Sequence, residues 1–453
     1  MDTVLVDIAP VDGLDPESSV GSVFIETYGC QMNVSDSELM RRVLNDAGFS
    51  TATSPEEADV VLLNTCAIRE HAEDRVIGRL GQLRHLKIRN PDLVLGVCGC
   101  MAKHMSEKLM DRLPYVDLVM GPDSYRDLAD LVIQSKNEPS LSVRLDRTEH
   151  YDGVDPVRSD GVTAWITVQR GCDKFCTFCV VPYVRGRERS VRADEIVRQV
   201  EVAAEEGYRD VTLLGQTVNS YTDGACDFSE LLRRVARVPG IDRVRFTSPH
   251  PSDFSERLIT TVAEVDELCK FIHLPVQSGS TRVLERMQRT YTRESYLDLV
   301  DRLRDAIPNL ALSTDVIVGF PGETADDFGE TLDLVRHVRF DFAFMFKYSD
   351  REGTIAHREI PDTVSEAEKG IRLTSLIDLQ SRISAEVNGS YVGRVLNVLV
   401  EGRARKGEGR VFGKSDGFKT VVFTSETEPN TFVPVRITSA TQKTLMGEAV
   451  VAR

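Results

Sequence analysis

Three cysteines lie within eight positions in the stretch GCDKFCTFC, at Cys172, Cys176 and Cys179. The chain has nine cysteines, and an odd number in a chain of this length does not indicate a disulfide framework. A Cys-x-x-Cys pair alone fits half of a zinc site or a redox pair. Zinc needs a fourth ligand nearby, and the next histidine downstream is His250. Three thiolates therefore favour a 4Fe-4S cluster with one iron left open for a substrate or cofactor.

Three further cysteines, far apart in sequence, each follow an apolar run typical of a buried strand. Cys30 follows SVFIETYG, Cys66 follows ADVVLLNT, and Cys100 ends DLVLGVCGC. Ligands gather at the carboxyl ends of the strands in open parallel sheets. We therefore expect these three thiols to converge in space, with Cys98 competing with Cys100 for the third position.

The pattern of apolar residues predicts an α/β chain of several domains. Residues 1–21 are interpreted as a disordered leader, and residues 22–138 as an open α/β sheet domain. Residues 139–160 are polar and aperiodic, as in a linker. Repeated βα units over residues 161–388 predict a full or partial (β/α) barrel with its functional groups at the strand carboxyl ends. Short alternating strands over residues 389–453 predict a small antiparallel β-barrel.

Charge and hydropathy limit the classes of function. The formal net charge of −16 argues against non-specific nucleic-acid binding by the whole chain. Basic residues outnumber acidic ones from residue 391 onward, which indicates either a polyanionic partner or a surface of mixed charge. No run of about 18 apolar residues occurs, and the acidic N-terminus lacks a signal pattern. We expect a cytoplasmic protein with no membrane span.

The cysteine triplet, with aromatic Phe178 before its last member, resembles the signature of the radical S-adenosylmethionine (SAM) superfamily. The resemblance implies that the open iron of the cluster binds the amino and carboxylate groups of SAM. One electron from the cluster would then cleave SAM to methionine and a 5′-deoxyadenosyl radical. That radical would abstract hydrogen from an unactivated carbon.

Motifs along residues 22–452 resemble the methylthiotransferase family within that superfamily. The N-terminal motifs are TYGCQMNVSDSE, NTCAIREHAEDRVIGRLG and GCMAK; the central motifs include LLGQTVNSY, HLPVQSGSTRVLERMQRTYT and STDVIVGFPGET. The resemblance implies that Cys30, Cys66 and Cys100 hold a second, auxiliary 4Fe-4S cluster, and the family's Gly-Cys pattern selects Cys100 over Cys98. It also implies that the C-terminal barrel is a TRAM domain, a small RNA-binding barrel.

The first motif is closest to the branch of the family that modifies N6-isopentenyladenosine beside the tRNA anticodon. The implied reaction uses two SAM molecules, one giving a methyl group to a sulfur of the auxiliary cluster and one giving the radical. Methylthio then replaces the hydrogen at carbon 2 of the adenine. The implied partners are the tRNA anticodon loop and a reducing donor such as flavodoxin or ferredoxin, and we expect a monomer.

Two other interpretations remain open from the sequence. One is a methylthiotransferase that acts on threonylcarbamoyl-adenosine in tRNA or on a ribosomal protein. The other is a non-enzymatic iron–sulfur or zinc protein that binds RNA through its β-barrel, which would leave the βα repeats unexplained.

Candidate SAM contacts follow two strand-like runs. Gln277, Ser278 and Gly279 come after FIHLPV at the expected rim of the barrel, and Asp315 lies within STDVIVGF. The resemblance implies that the first segment lines the SAM pocket and that Phe178 belongs to the cofactor site. The alternative for the segment is a capped βα turn, with Ser280 opening the next helix.

Candidate RNA contacts are basic residues, since arginine matches phosphate geometry. One group follows the cysteine triplet: Arg185, Arg187, Arg189 and Arg192. The other group is in the C-terminal barrel: Arg403, Arg405 and Lys406. The alternative for both groups is a solvated surface with local ion pairs.

The segment YSDREGT, residues 348–354, departs from the Tyr-Ser-Pro-Arg-Pro-Gly-Thr pattern of the family. Asp350 and Glu352 replace the two prolines. We expect this turn to be more flexible and more acidic than in relatives.

Overall fold

A computed structural model describes residues 19–67, 70–159 and 161–450. The predicted leader lies largely outside the described residues, and Gly21 already belongs to the first strand. None of the helices in the described part is both long enough and apolar enough to cross a membrane.

The N-terminal domain is one six-stranded sheet with every neighbouring pair parallel, in the order β2-β1-β3-β4-β5-β6. Its strands are β1 Gly21–Tyr28, β2 Phe49–Thr51, β3 Val60–Thr65, β4 Val94–Gly99, β5 Leu118–Met120 and β6 Ser140–Ser142. Its helices are α1 Gln31–Asp46, α2 Glu70–Arg89, α3 Cys100–Met105, α4 Glu107–Arg112 and α5 Leu128–Ser135. This matches the predicted open α/β sheet.

Helices cover both faces of that sheet. One apolar core lies between the sheet and helices α1 and α5, and a second lies between the sheet and helices α2, α3 and α4. The central strands β3 and β4 are buried along their whole length, which is why they are apolar without alternation.

The predicted linker is more ordered than a spacer. Ser140–Ser142 forms the edge strand β6, paired with β5. Tyr151 is buried in the N-terminal core, and its hydroxyl donates to the Pro122 carbonyl over 2.8 Å. Ser159 donates to the buried Glu38 carboxylate from its backbone N–H and its hydroxyl. These contacts were not readable from local periodicity, because their partners are distant in sequence.

The central domain is a partial (β/α) barrel. Its parallel strands are β7 Thr163–Thr167, β10 Asp210–Leu214, β11 Arg243–Phe246, β12 Phe271–His273, β13 Ala311–Val318 and β14 Phe342–Lys347, with a small antiparallel pair, β8 Gln169–Arg170 and β9 Arg189–Ser190. Its helices are α6 Val181–Arg185, α7 Ala193–Glu205, α8 Phe228–Ala236, α9 Glu256–Glu264, α10 Thr281–Arg286, α11 Arg293–Ala306, α12 Ala325–Val338, α13 Ile355–Glu359 and α14 Glu366–Gly389.

Backbone hydrogen bonds join the two halves of this barrel. Strands β7, β10 and β11 form one sheet, and β12, β13 and β14 form another. A parallel bridge between Val244 and Leu268 connects them, with the Val244 N–H donating to Glu267 and the Cys269 N–H donating to Val244. Among the described residues β7 does not pair with β14, so the barrel stays open between its first and last strands.

The C-terminal domain is a closed five-stranded barrel in the order β15-β16-β17-β19-β18. Its strands are β15 Val395–Arg403, β16 Arg410–Ser415, β17 Thr420–Thr424, β18 Phe432–Ala440 and β19 Leu445–Ala449. The predicted small antiparallel barrel is confirmed, with one exception among its five strand pairings. Strands β17 and β19 pair in parallel, since the intervening β18 crosses back and returns the chain in the same direction.

The turn between β16 and β17 docks the C-terminal barrel onto the amino-terminal mouth of the central barrel. Phe418 stacks on Phe271, the first residue of β12, with ring centroids 4.9 Å apart. Arg245 of β11 donates to the backbone carbonyls of Ser415 and Asp416 over 3.0 and 2.9 Å. The two domains are therefore fixed together at the end of the barrel opposite to the strand carboxyl ends.

The charged side chains of segment 348–354 contact both the N-terminal domain and the segment's own surroundings. Arg351 pairs with Glu73 of the N-terminal domain at 3.2 Å, and Glu352 pairs with Lys108 at 2.6 Å. Asp350 pairs with His357 at 2.8 Å. Both acidic replacements thus form ion pairs, and one of them crosses to the N-terminal domain.

Candidate cluster-binding sites

The loop with the cysteine triplet begins at the carboxyl end of the first barrel strands. Gly171 has φ +76°, and a Cβ there would lie 2.1 Å from the Arg187 carbonyl oxygen, so only glycine fits. The Cys172 N–H donates to the Gly186 carbonyl over 3.1 Å. This close approach folds the loop back against the residues that follow it.

All three thiols of the triplet lie beside hydrogen-bond donors. The Cys172 Sγ accepts from the Lys174 N–H at 3.3 Å, and the Thr217 hydroxyl lies 3.1 Å away. The Cys176 Sγ accepts from Arg289 at 3.2 Å. The Cys179 Sγ accepts from the Val181 N–H at 3.5 Å. Donors aimed at sulfur favour thiolates and cluster sulfurs over neutral thiols.

Burial makes these thiols weak acids. It raises the pKa of Cys172 above its ordinary value and that of Cys179 to about 12. In the absence of a metal these two thiols are therefore protonated at neutral pH. Metal binding must displace the protons, so loading is coupled to proton release.

The three N-terminal cysteines follow three adjacent parallel strands. Cys30 comes two residues after β1, Cys66 directly after β3, and Cys100 directly after β4, and the sheet order places these strands side by side. Gly99, with φ +92°, allows the turn into α3, because a Cβ there would lie 2.5 Å from the Asn64 side-chain oxygen. The sheet topology therefore brings the three cysteines to the same edge of the sheet, as expected.

The thiols at this edge interact with each other and with one arginine. A hydrogen bond from Cys66, supported by the charge of Arg185, lowers the pKa of Cys30 to about 6 despite its burial. Burial raises the pKa of Cys100, although the Arg185 guanidinium 3.1 Å from its sulfur opposes this. One thiol of the group is thus already prepared as a thiolate.

Cys98 lies elsewhere. It is fully buried in the core beneath α1 and α5, and burial raises its pKa to about 12. Its place inside that apolar core, within β4 and not after the strand end, supports the choice of Cys100 as the third ligand of the auxiliary site.

Each cysteine group brings three thiols to one place in the fold. In the described residues no three His, Cys, Asp or Glu side chains are close enough together to hold one metal ion. Thiolates around a cubic cluster each bind a different iron, so they lie further apart than ligands of a single zinc. Two separate sets of three thiols, among hydrogen-bond donors, suit two such clusters.

The two sites share an interface between domains. Cys100 and Ala67 of the N-terminal domain pack against Val180 and Val184, which follow the cysteine triplet. Arg185, predicted to contact RNA phosphates, is buried there, and that prediction was wrong. Its guanidinium binds the Asp36 carboxylate at 2.6 Å and Cys100, so it is not available to a polyanion. The sequence contains no local sign of this pairing, since both partners belong to another domain.

A polar group lies inside the central barrel. The Asp315 carboxylate is 3.2 Å from His273 Nε2, and His273 Nδ1 is 2.8 Å from the Ser313 hydroxyl. Phe344 packs edge-on to the imidazole at 5.8 Å. Asp315 was predicted as a cofactor contact, whereas His273 was missed. The signal for His273 was its alternation with buried Ile272 on a barrel strand.

The segment after β12 is strained at Gln277, which adopts φ +72°. Its N–H donates to the Asp315 carbonyl and its carbonyl accepts from Ile317, both over 2.9 Å, so the segment continues the pairing with β13. A non-glycine residue held in this conformation costs about 1–3 kcal/mol and is typical of functional sites. Gln277 therefore remains a candidate for SAM contact.

Its neighbours Ser278 and Gly279 point elsewhere. The Ser278 hydroxyl is fully buried, 3.5 Å from Thr331 of α12. A Cβ on Gly279 would lie 2.5 Å from the Thr331 Cα, so the glycine permits close packing of α12. The Ser278 hydroxyl serves this packing, and Ser278 and Gly279 stay predictions as SAM contacts.

Phe178 packs in an apolar cluster that includes Phe320 and Tyr348. Its ring is partly buried there, which gives it a packing function beneath the cysteine loop. If Phe178 belongs to the cofactor site, as predicted, it acts there by supporting the cysteine loop.

The remaining predicted RNA contacts differ in whether an acidic side chain already pairs with them. Arg187 is exposed but forms a forked ion pair with Asp173, at 2.6 and 3.0 Å, and covers the Phe175 ring. Arg403, Arg405 and Lys406 are exposed on the β15–β16 hairpin, and no ion pair in the described residues involves them. The hairpin is therefore the better candidate surface for phosphates.

Comparison with known sequence families divides the chain into three parts. Residues 22–121 match an uncharacterized protein family, UPF0004, residues 166–335 match the radical SAM superfamily, and residues 389–450 match the TRAM domain. The fold and the cysteine triplet thus define a radical SAM protein with an added N-terminal sheet domain and a TRAM domain.

Curated relatives extend over nearly the whole chain. One from Chlorobium luteolum, a tRNA-2-methylthio-N(6)-dimethylallyladenosine synthase, is 48% identical over 94% of this chain and 96% of its own length. Another of the same name, from Parabacteroides distasonis, is 43% identical over 97% of this chain and 98% of its own. The chain belongs to the family of tRNA-2-methylthio-N(6)-dimethylallyladenosine synthases.

A solved structure supports the fold alone. The radical SAM methyltransferase TsrM from Kitasatospora setae, with cobalamin and a 4Fe-4S cluster bound, covers 87% of this chain and 81% of its own at a TM-score of 0.55 and 16% identity. At that identity the likeness shows a shared architecture and nothing about residues.

Proposed function

We propose that this protein is an enzyme that methylthiolates carbon 2 of N6-isopentenyladenosine beside the anticodon of tRNA, with SAM and 4Fe-4S clusters as cofactors. The observation that carries the proposal is the pair of cysteine triplets, one at the strand ends of the N-terminal sheet and one at the strand ends of the barrel, on either side of one interface. Relatives of that name match nearly the whole chain.

The radical site is built by Cys172, Cys176 and Cys179. When a cluster and SAM are bound there, they supply the 5′-deoxyadenosyl radical that removes hydrogen from the adenine. Two side chains from other parts of the barrel contact these sulfurs: the Thr217 hydroxyl lies 3.1 Å from Cys172, and Arg289 donates to Cys176. Gln277 and Asp315, at adjacent positions of the barrel rim, are the proposed SAM contacts.

The auxiliary site is built by Cys30, Cys66 and Cys100, and it is proposed to provide the sulfur that is transferred. The lowered pKa of Cys30 and the arginine beside Cys100 suit a site that holds negatively charged sulfur. The methyl group is proposed to come from a second SAM. Transfer of the methylthio group to carbon 2 then requires the target base to lie within reach of both sites.

The target base must leave its stack to reach a buried site. A single-stranded anticodon loop lowers that cost, since its bases are already partly unstacked. Arg403, Arg405 and Lys406 lie at the end of β15 and β16 that faces away from the docking turn. They are proposed to bind phosphates of the tRNA outside the target nucleotide, and Arg187 is a weaker proposal because Asp173 already neutralises it.

The proposal also covers the protein's partners and its domain boundaries. A flavodoxin or ferredoxin is the proposed electron donor, and the chain is proposed to act as a monomer in the cytoplasm, where tRNA is modified. The proposed domains are residues 22–138, 161–388 and 389–453, with residues 139–160 as the linker between the first two.

The test is mass analysis of nucleosides from digested tRNA. A strain without its own methylthiotransferase is compared with the same strain expressing this protein. We expect 2-methylthio-N6-isopentenyladenosine to appear while its unthiolated precursor falls. A protein that cleaves SAM but leaves this nucleoside unchanged would overturn the substrate and would direct the search to threonylcarbamoyl-adenosine or a ribosomal protein.

A further inference from the structure

One buried carboxylate of the N-terminal domain binds two arginines of the central domain. Asp36, on α1, is fully buried. Its Oδ1 accepts from Arg170 Nη1 at 3.0 Å, and its Oδ2 accepts from Arg185 Nη2 at 2.6 Å. A buried carboxylate with two such partners is fixed in position by charge-assisted hydrogen bonds.

The two arginines lie on either side of the cysteine triplet in the sequence. Arg170 is two residues before Cys172, and Arg185 is six residues after Cys179. Asp36 therefore holds both ends of the loop that carries the radical site. It does so from a helix that begins directly after Cys30, the first cysteine of the auxiliary site.

Arg185 also contacts the auxiliary site itself. Its Nε donates to the Cys100 sulfur over 3.1 Å, so one planar guanidinium joins Asp36 and Cys100. Among the described residues its third nitrogen, Nη1, is buried and has no hydrogen-bond acceptor. A buried N–H without an acceptor is costly, which indicates that a group absent from the protein atoms accepts from it.

A sulfur of a cluster held at the auxiliary site would be an acceptor of the kind that Arg185 lacks. Fe–S sulfurs accept hydrogen bonds, and such bonds and nearby charges tune the cluster potential. Arginine suits the task because its rigid fork serves two acceptors at once and keeps its charge when buried.

We propose that Arg185, oriented by Asp36, is a positioning residue of the auxiliary site: it donates to the sulfur held by Cys100 and ties that site to the loop of the radical site. The inference rests on the proposed function only for the presence of a cluster at the auxiliary site. Its consequence is that the two sites keep one spacing, so the radical and the sulfur meet on the same base.

The test measures the auxiliary cluster alone. In the full-length chain, Cys172, Cys176 and Cys179 are replaced by Ala, and the reconstituted protein is titrated by EPR to obtain its midpoint potential. A cation beside the cluster stabilises its reduced, more negative state. In this background Arg185→Gln should lower the midpoint potential, because it removes that cation.

Asp36→Asn should shift the potential in the opposite direction. It removes the negative charge that offsets Arg185, so the reduced cluster becomes easier to form. Shifts of opposite sign distinguish this charge pair from general damage to the fold, which would move both variants alike. Arg302→Gln, in a surface ion pair with Asp298 on α11, is the matched control and should leave the potential unchanged.

A second readout uses the chain with all six ligand cysteines intact. Arg185→Gln should raise the amount of 5′-deoxyadenosine formed per methylthiolated nucleoside several-fold, while Arg185→Lys should restore part of the coupling. An Arg185→Gln protein with the parental potential and the parental ratio would overturn the inference.

Two further outcomes are also decisive. If Arg185→Gln does not retain iron, the Asp36→Asn protein decides alone: a higher potential supports the inference, and an unchanged or lower one overturns it. If the triple-alanine background itself holds no cluster, the assignment of the auxiliary site fails, and this inference fails with it.

Discussion

The guanidinium of Arg289 lies 3.2 Å from the sulfur of Cys176, the middle cysteine of the triplet. The arginine is held in place by Tyr291, whose hydroxyl accepts from Arg289 Nε over 2.9 Å and itself donates to the Val276 carbonyl. A positive charge from the segment after α10 thus reaches the radical site. It is the counterpart, in the central barrel, of the arginine beside Cys100.

Replacing Arg289 should slow the reductive cleavage of SAM. Arg289→Gln removes a hydrogen bond from a charged donor, a loss of about 1.5–3 kcal/mol, which corresponds to roughly ten- to hundred-fold. Deoxyadenosine production with a chemical reductant measures the effect, with iron content as the check that the cluster is still bound. Arg302→Gln serves again as control, and an unchanged cleavage rate in Arg289→Gln would contradict the assigned role.

Replacing the two cysteine groups one at a time should distinguish two activities, SAM cleavage and methylthiolation. Alanine at Cys172, Cys176 and Cys179 should remove about half of the bound iron, since the proposed clusters are of equal size, and should abolish SAM cleavage. Iron analysis and deoxyadenosine production measure this. Undiminished cleavage would mean that the radical site lies elsewhere.

Alanine at Cys30, Cys66 and Cys100 should also remove about half of the iron but should leave SAM cleavage in place, because each cluster is held by its own three thiols. The methylthiolated nucleoside should not form, since the proposed source of sulfur is lost. Cys98→Ala is the matched control, being a core thiol two residues before Cys100. Normal product in the triple variant would refute the auxiliary site.

Strain at Gln277 should be released by glycine. Gln277→Gly relaxes a backbone with φ +72° and should raise the free energy of unfolding by about 1 kcal/mol, provided that the loss of side-chain packing is small. It should also weaken SAM binding, which equilibrium titration measures. Gln277→Ala keeps the strain and removes the same side chain, so it should weaken SAM binding equally without the gain in stability. Parental SAM affinity in both variants would exclude a side-chain contact.

The β15–β16 hairpin should contribute to tRNA affinity through charge alone. Arg405→Gln with Lys406→Gln should weaken binding and reduce the slope of log affinity against log salt by about 1 for each phosphate that the hairpin no longer neutralises. Filter binding over a range of salt concentrations measures this. Lys443→Gln, an exposed basic residue in another turn of the same barrel, is the control, and equal slopes in both proteins would rule out the hairpin.

Phe418 should stabilise the junction between the two barrels. Phe418→Ala removes the stack on Phe271 and the ring beneath Arg245, and should lower the free energy of unfolding by about 3 kcal/mol. Denaturant unfolding measures the loss, and limited proteolysis between α14 and β15 should show faster cleavage. Phe175→Ala, an exposed ring on the cysteine loop, offers a comparison in which the junction should remain intact.

Much of this architecture was readable from local patterns. The apolar runs of β1, β3 and β4, each followed by a cysteine, predicted three thiols at one sheet edge, because parallel strands necessarily end at the same side. The βα repeats and the short alternating strands likewise predicted the partial barrel and the closed barrel. These signals have periods of two to four residues, which a sequence displays directly.

What each charged side chain does was decided by tertiary structure. Arg185 and Arg187 are two positions apart and look alike in the sequence, yet one is buried against Asp36 and the other lies in solvent with Asp173. Asp36 is 149 positions from Arg185, so no local pattern connects them. The cysteine triplet could be proposed from sequence because its spacing is local, and the other three cysteines because each follows a strand-like run. The pairing of a buried charge instead depends on which distant groups the packed domains bring beside it.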